Sequence, residues 1–413
     1  MSPPILPSDL DDLLVAPCML NDPFPVYDRL RNEAPVAWSQ HWNAWVVSRH
    51  GDVEASLRDK DNLSNENRQA LLFDGLTPAE REELSRLRHY FAQKDVIGSD
   101  PPDHTRMRSL VQKAFTPRTV ASLQPRIEKL AAELIDAAVA QGEFDFVADV
   151  AHPLPVILIS ELLGAPPADR PLFKRWSADI LGFQGSGRTA FASAKVSQQS
   201  LTELFTYMNT LIEERRRSPR DDLISVLALA EDEGRTLSRD ELLATCNTLL
   251  TAGHETTTNL IGNLVRALLI EPDAWQAVLA SPRLIPAAVE ESLRLDAPKQ
   301  RNFRRIKQAH TFAGVALPAD GMIFQLIGSA NRDPSVFPEP DRFLLERANV
   351  RDHLSLGAGI HFCLGAGLAR TEASVVLARL MERAPRLRLT GRGFTWQERV
   401  QFRGPASLWV SAT

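Results

Sequence analysis

The chain has 413 residues, of which 44% are hydrophobic and 24% charged, and its 47 Lys and Arg against 52 Asp and Glu give a net charge of −5. This balance is typical of a globular protein, and the negative charge argues against broad electrostatic binding to nucleic acid. No run of 18 apolar residues could cross a bilayer, no basic segment opens the N-terminus, and the three cysteines form neither a CxxC pair nor a disulfide framework. We therefore expect a soluble, cytoplasmic protein that binds no membrane.

No linker, repeat or long charge run divides the sequence, so we predict one domain over residues 1–413. Residues 35–50 predict two short strands around a turn, and residues 100–300 are mainly helical, with apolar side chains three and four residues apart. Strands return at 310–327 and 386–411. The predicted class is mainly α (α+β), with small β-sheets at the edges of a helical core.

A helix is predicted just after residue 100, in the segment DPPDHTRMRSLVQKAF. Asp100 is placed to cap it and Pro101 to open it. His104 and Arg108 then lie four residues apart on one helical face.

A second predicted helix is unusually long. Ser238 and Glu241 form a capping box and the next proline is Pro272, which leaves roughly 30 helical residues, or about 45 Å. Its middle, TAGHETTT (251–258), contains a glycine and three consecutive threonines, which are poor helix formers. Either the helix is broken there by a polar loop, or a local distortion is retained for function.

The sharpest motif is GAGIHFCLGAGLAR (357–370), in which glycines surround Cys363. Glycines let the backbone approach a bulky planar group, and the amphipathic helix that follows, predicted to stop at Pro385, places the sulfur at a helix N-terminus that stabilises a thiolate. Cys363 is thus a candidate nucleophile or a thiolate ligand to haem iron. Cys18 and Cys246 are predicted to be small buried hydrophobic residues.

The segment LGAGIHFCLG resembles the haem-binding loop of the cytochrome P450 family, FGxGxHxCxG, with Leu356 where the family usually has Phe. AGHET (252–256) and the ExxR pair of Glu291 and Arg294 are similar to two further family motifs, in the family's order. The resemblance extends from the Trp-rich strands to the C-terminal hairpin. It implies the cytochrome P450 fold, with a long central helix over a haem b (iron protoporphyrin IX).

The resemblance also implies individual roles. Cys363 becomes the axial ligand of the haem iron, and Arg304 is chosen over Arg305 because its distance to Gly314 matches the family spacing. Thr256 and Glu255 become the catalytic pair that binds dioxygen and delivers protons. The implied cofactor-binding residues are His104, Arg108, Ala252, Arg304, His361, Cys363 and Gly365. Glu291 and Arg294 are implied to be a structural, buried ion pair.

Analogy with the family places the substrate above the haem, lined by segments 65–99, 181–192, 249–256, 298–302 and 400–402. The candidate pocket residues within these are Leu249, Ala252, Pro298, Lys299, Gln300, Arg301 and Gln401. Lys299 and Arg301 stand where the family usually has aliphatic side chains. Either they meet an acidic or polar group of the substrate, or both turn outward into solvent.

The implied activity is that of a monooxygenase acting on a small hydrophobic organic substrate and O₂, as a monomer. No reductase motif is fused, so electrons from NAD(P)H are expected through a separate ferredoxin and ferredoxin reductase. Candidate docking charges are Arg106, Lys113, Arg118, Arg351 and Arg370. The alternatives are a peroxide-driven peroxygenase of the same fold, a non-catalytic haem sensor, and a Cys–His hydrolase around Cys363.

Overall fold

The computed structural model describes residues 4–73, 75–184, 190–230 and 236–412. The α-helices are α1 (Ser8–Leu13), α2 (Cys18–Asn21), α3 (Phe24–Glu33), α4 (His50–Arg58), α5 (Pro78–Glu83), α6 (Ser85–Phe91), α7 (Asp103–Val111), α8 (Pro117–Val139), α9 (Pro153–Leu162), α10 (Arg170–Gln184), α11 (Phe191–Arg217), α12 (Leu223–Leu229), α13 (Arg239–Ile270), α14 (Pro272–Ala280), α15 (Ile285–Leu295), α16 (Ile327–Ala330) and α17 (Ala366–Arg383). The strands are β1 (Val36–Ser39), β2 (Ala44–Val47), β3 (Leu63–Ser64), β4 (Glu143–Asp145), β5 (Asn302–Ile306), β6 (His310–Phe312), β7 (Val315–Leu317), β8 (Met322–Gln325), β9 (Arg388–Trp396) and β10 (Pro405–Ser411). The mainly helical class with small sheets is confirmed. Among the helices of these described ranges, none combines the length and hydrophobicity that crossing a membrane requires.

The long helix α13 begins at the predicted capping box. The Ser238 N–H donates to Glu241 Oε2 at 2.8 Å, and the Glu241 N–H donates to Ser238 Oγ at 3.2 Å. The helix then continues for 32 residues, all of them described, so the interpretation of a helix broken by a loop is wrong. Thr251 shows how such a sequence is accommodated, because its hydroxyl donates to the carbonyl oxygen of Asn247 one turn earlier, at 2.8 Å.

The helix after residue 100 starts later than predicted. It begins at Asp103 with no side-chain cap, so the expected roles of Asp100 as cap and Pro101 as first helical residue are wrong. The carboxylate of Asp100 instead accepts the Asn65 N–H at 3.0 Å, and only its main-chain oxygen accepts the His104 N–H. The carboxylate of Asp100 is therefore directed at the segment that contains Asn65, and the N-terminus of the helix has no side-chain cap.

The described residues divide into two compact units, while the single domain stays a prediction. The first comprises the chain up to Ser64, Gln124–His152, and the chain from Thr256 onward. It contains a five-stranded sheet in the order β1-β2-β8-β5-β3, a three-stranded sheet β4-β10-β9 and the pair β6-β7. Trp45, 2% exposed, lies at the centre of its core with the buried aliphatic side chains of these strands.

The second unit, Asn65–Leu123 with Pro153–Glu255, is helical. Its aromatic side chains form a cluster in which the rings of Phe91 and Phe183 are stacked, 6.1 Å apart and within 3° of parallel, while Phe73 packs against both. Tyr90 packs edge-on against Phe205, which joins α6 to α11.

Candidate active site

The cysteine loop is closed by its own backbone. Gly357 (φ +74°) and Gly359 (φ +67°) adopt the left-handed conformation that favours glycine, and a Cβ on Gly359 would lie only 3.2 Å from the Cα of Arg58. The Cys363 N–H donates to the main-chain oxygen of Leu356 at 2.9 Å. The thiol of Cys363 is exposed, three residues before α17 begins at Ala366. The helix dipole therefore favours a thiolate here.

The surroundings of the sulfur fit a large planar group. Gly365 is the N-cap residue of α17, and a Cβ added to it would be in van der Waals contact with the Cys363 Sγ at 4.0 Å, so the lack of a side chain keeps this side of the sulfur clear. The helix ends at Arg383, before Pro385, as predicted. Cys246 is buried, which raises the pKa of its thiol to about 12 and confirms its hydrophobic role. Cys18 is exposed, so its predicted burial is wrong.

Two predicted cofactor-binding residues lie in the same unit as the cysteine. Arg304 on β5 is 4% exposed, and its guanidinium donates to the main-chain oxygens of Ser56, Leu57 and Asp59 at 2.9–3.3 Å. These oxygens carry no formal charge, so the side chain is oriented without being neutralised by them. His361 is half-buried at the end of the 3₁₀ turn Gly359–His361, two residues before the cysteine.

The predicted ion pair of Glu291 and Arg294 is present and completely buried, with N–O distances of 2.7 and 2.8 Å. Arg294 also donates to the main-chain oxygens of Asn331, Pro340 and Arg342, and the Leu344 N–H donates to Glu291 Oε1. The pair thus holds the segment from about residue 331 to 344 against α15.

No pattern in the sequence predicts the third member of the cluster formed by Glu291 and Arg294. The Nε of Arg347 lies 3.1 Å from both carboxylate oxygens of Glu291, 56 residues away along the chain. Spacing along a helix reveals pairs three or four residues apart, and no such signal marks a partner at this separation.

A second carboxylate cluster, also missed, connects both ends of the cysteine loop. Glu290 accepts from His353 Nε2 at 3.1 Å and from Arg370 Nε and Nη2 at 2.5 and 2.9 Å. Burial on its own would raise the pKa of Glu290, but the hydrogen bonds from His353 and Arg370 outweigh it and lower the pKa to about 2. Because His353 precedes the cysteine loop and Arg370 follows it on α17, the carboxylate of Glu290 links the two segments that flank the loop.

The segment from Pro298 to Arg301 pairs with the last hairpin. The Gln300 N–H donates to the main-chain oxygen of Gln401 at 2.8 Å, and Lys299, half-buried, forms a bridge with Phe402. The side chain of Gln300 is buried and donates to the oxygen of Ala297.

Arg301 does not turn outward into solvent. It is 7% exposed, and its guanidinium carbon lies 4.3 Å from the ring centre of Trp42 and 4.8 Å from that of Phe324. Burial lowers the pKa of Arg301 to about 10. An Arg301 turned outward into solvent is therefore wrong, and its contact with a substrate stays a prediction.

The long helix α13 carries an accessible stripe on an otherwise buried surface. Leu249 and Thr256 are half-buried and Ala252 and Gly253 are exposed, whereas the residues between them are buried. These four positions repeat at three and four residues, which places them on one face. Small side chains at its centre leave room beside the helix axis, and Thr256 ends the stripe with a hydroxyl. Glu255, next to it, is buried.

In the helical unit, His104 is buried on α7 and Arg108 is half-buried one turn later on the same helix, as the spacing predicted. Of the predicted pocket segments, residues 185–189 of 181–192 and residue 74 of 65–99 lie outside the described residues.

Two candidate docking charges are engaged in ion pairs, Arg106 with Glu241 and Arg370 with Glu290. The other three, Lys113, Arg118 and Arg351, are exposed.

Comparison with known proteins gives a consistent result. A family model described as Cytochrome P450 matches residues 191–384. The chain is 40% identical over 359 residues to the erythromycin C-12 hydroxylase of Saccharopolyspora erythraea, covering 87% of this chain and 86% of the relative. It is 38% identical over 370 residues to the mycinamicin IV hydroxylase/epoxidase of Micromonospora griseorubida, covering 88% of each. The structure of cytochrome P450 CYP109Q5 from Chondromyces apiculatus matches with a TM-score of 0.86 and 38% identity over 97% of each chain.

Proposed function

The chain belongs to the cytochrome P450 family, as a monooxygenase with a haem-iron cofactor, and on that premise we propose that it inserts one atom of O₂ into a small hydrophobic organic substrate. The electrons come from NAD(P)H through a separate ferredoxin and ferredoxin reductase. The observation that carries this proposal is the position of Cys363, in a loop shaped by Gly357 and Gly359 and three residues before α17 begins.

The cofactor would be haem b, and the thiolate of Cys363 would hold its iron. When bound, haem activates O₂, helped by the electron density of the thiolate. Arg304 and His361 bind its carboxylate side chains from the cysteine's unit, and His104 and Arg108 have the same role in the helical unit. Gly365 and Ala252 leave space for the haem, because neither carries a side chain larger than a methyl group.

The acid–alcohol pair of Glu255 and Thr256 delivers protons to the site of oxygen activation. The Thr256 hydroxyl lies at the end of the accessible stripe on α13. In this proposal it donates a hydrogen bond to dioxygen and holds a water molecule. The buried carboxylate of Glu255 passes protons toward it. The peroxide-driven alternative is not favoured, since hydrogen peroxide as the oxidant makes this proton supply unnecessary.

The substrate is a hydrophobic scaffold lined by Leu249, Ala252, Pro298, Gln300 and Gln401. The two relatives named above, for erythromycin and mycinamicin IV, support such a scaffold. Lys299 is half-buried beside Phe402 and meets an acidic or polar substrate group. If so, Lys299→Gln weakens binding of carboxylate ligands about tenfold and leaves neutral ligands unaffected, whereas equal affinity for both classes would contradict this contact.

Reduction by a ferredoxin uses surface cations. The exposed Lys113 and Arg118 supply charge in one unit, and Arg351 supplies it in the other. Arg106 and Arg370 are held in ion pairs and contribute less. The proposal predicts a reduction rate that falls as the salt concentration rises, and a salt-independent rate would contradict it.

In this proposal the enzyme works as a monomer.

The first experiment is the absorption spectrum of the reduced protein under carbon monoxide. A red-shifted band is expected from thiolate-ligated haem. An unshifted band would contradict ligation by Cys363, and a protein that takes up no haem would favour the cysteine nucleophile instead. Turnover with a ferredoxin, its reductase and NADPH then distinguishes the enzyme from a sensor, and a parallel assay with hydrogen peroxide tests the peroxygenase.

A further inference from the structure

The imidazole of His254 is buried in α13, directly before Glu255, with 1% of the residue exposed. Its Nδ1 lies 2.8 Å from the main-chain oxygen of Leu250. A carbonyl oxygen only accepts hydrogen bonds, so Nδ1 carries a hydrogen. The ring is thereby oriented along its own helix, with Nε2 directed away from Leu250.

The other nitrogen meets a hydroxyl from α10. Nε2 of His254 lies 3.2 Å from Ser177 Oγ, which is also 3.2 Å from the main-chain oxygen of Lys174. Ser177 has one hydroxyl hydrogen. It donates to Nε2 when the imidazole is neutral, and it donates to Lys174 and accepts from Nε2 when the imidazole is protonated. The same arrangement of heavy atoms therefore serves both protonation states.

The carboxylate of Glu255 lies close to the imidazole of His254. Its Oε2 is 3.9 Å from the His254 Nε2, and both side chains are at most one-tenth exposed. At this distance and in this degree of burial, the fixed imidazole restricts the positions that the neighbouring carboxylate can occupy.

We propose that His254 is a positioning residue for Glu255: held at both ring nitrogens by Leu250 and Ser177, it orients the Glu255 carboxylate for proton transfer. This inference rests on the proposed proton-carrying role of Glu255. It assigns a function to a side chain of AGHET that the proposed reaction leaves without a role. Ser177 takes part by satisfying Nε2 in both states.

The chain offers variants that separate this role from a structural one. His254→Asn keeps a donor near the position of Nδ1 for the Leu250 oxygen but has no atom equivalent to Nε2. Ser177→Ala removes only the hydroxyl that faces Nε2. Ser160→Ala is the matched control, because Ser160 is a fully buried serine whose hydroxyl likewise donates to a carbonyl three residues earlier, that of Ile157. Glu255→Gln is the reference for lost proton delivery.

The assay measures product and hydrogen peroxide formed per NADPH consumed by the reconstituted holoenzyme. We expect Ser177→Ala and His254→Asn each to lower the product fraction about fivefold, as the loss of one ordinary hydrogen bond would, while Ser160→Ala leaves it unchanged. The red-shifted carbon monoxide band of His254→Asn should match that of the wild type.

Two results discriminate between the possible failures. If Glu255→Gln itself leaves the product fraction unchanged, the proposed proton role of Glu255 fails. If Glu255→Gln lowers it but both His254→Asn and Ser177→Ala retain the wild-type value, the positioning role of His254 is overturned. A readout independent of turnover is ¹⁵N NMR of the histidine-labelled ferrous carbon monoxide complex, assigned by comparison with His254→Asn. A hydrogen on Nδ1 is expected, and an imidazole that carries its hydrogen only on Nε2 would also overturn the proposal.

Discussion

Replacing Glu291 with Gln removes the one negative charge from a buried cluster that also holds Arg294 and Arg347. The carboxylate of Glu291 receives hydrogen bonds from both guanidinium groups at 2.7–3.1 Å and is completely buried. In the wild type the three side chains carry a net charge of one positive, and in Glu291→Gln they carry two. The side-chain amide introduced by Glu291→Gln has nearly the shape of the carboxylate. Its NH₂ group is a donor, however, and it would face a guanidinium N–H, which is also a donor.

The size of the effect follows from burial. Removing one partner of a buried ion pair costs about 3–5 kcal/mol, because the remaining charge is left without compensation. Arg347→Met is the informative comparison, because it leaves a neutral pair of Glu291 and Arg294. It loses the Arg347 hydrogen bonds to Glu291 and to the main-chain oxygens of Pro338, Glu339 and Arg342, and at about 0.5–1 kcal/mol net for each acceptor the cost is about 2–4 kcal/mol. Glu291→Gln should therefore be the less stable variant by about 1 kcal/mol.

The assay is urea unfolding of the ferrous carbon monoxide complex, followed both by the red-shifted band and by far-UV circular dichroism. The band reports on the cysteine loop and the dichroism on the helices. Comparison of the two variants with the wild type gives the order of stability. An Arg347→Met variant that is less stable than Glu291→Gln, or a Glu291→Gln variant as stable as the wild type, would refute this reasoning.

Three further predictions concern the site. Cys363→Ser should lose the red-shifted carbon monoxide band without loss of helical dichroism, since the bond from its N–H to the Leu356 oxygen does not use the sulfur; a retained band would contradict thiolate ligation. Thr256→Ala should lower product per NADPH about tenfold and release hydrogen peroxide in its place, and unchanged coupling would contradict its role. The pKa of Glu290 is lowered to about 2 from its ordinary 4.5, so its contribution to stability is present above about pH 4.5 and is lost as the pH falls toward 2. Glu290→Gln should accordingly show a flatter loss of urea stability over that range, and parallel profiles for the two proteins would argue against this linkage.

Local patterns were sufficient to locate the ends of two helices. The capping box at Ser238 and Glu241 and the prolines at 272 and 385 mark the ends of α13 and α17, because a cap and a missing N–H act over only a few residues. The same reasoning failed at Asp100. Its carboxylate is engaged by the Asn65 N–H, a partner 35 residues away that no local rule includes.

The motifs of the chain were enough to recognise the family and the cysteine loop, since these depend on residue types at fixed short spacing, and the buried pair of Glu291 and Arg294 followed from the resemblance to that family. The distant groups that complete these clusters became visible only in the folded chain: Arg347 on Glu291, and His353 with Arg370 on Glu290. The physical reason is the same in each case. A buried charge must find a partner wherever the packed chain brings one near, and that distance is a property of the fold rather than of any local pattern.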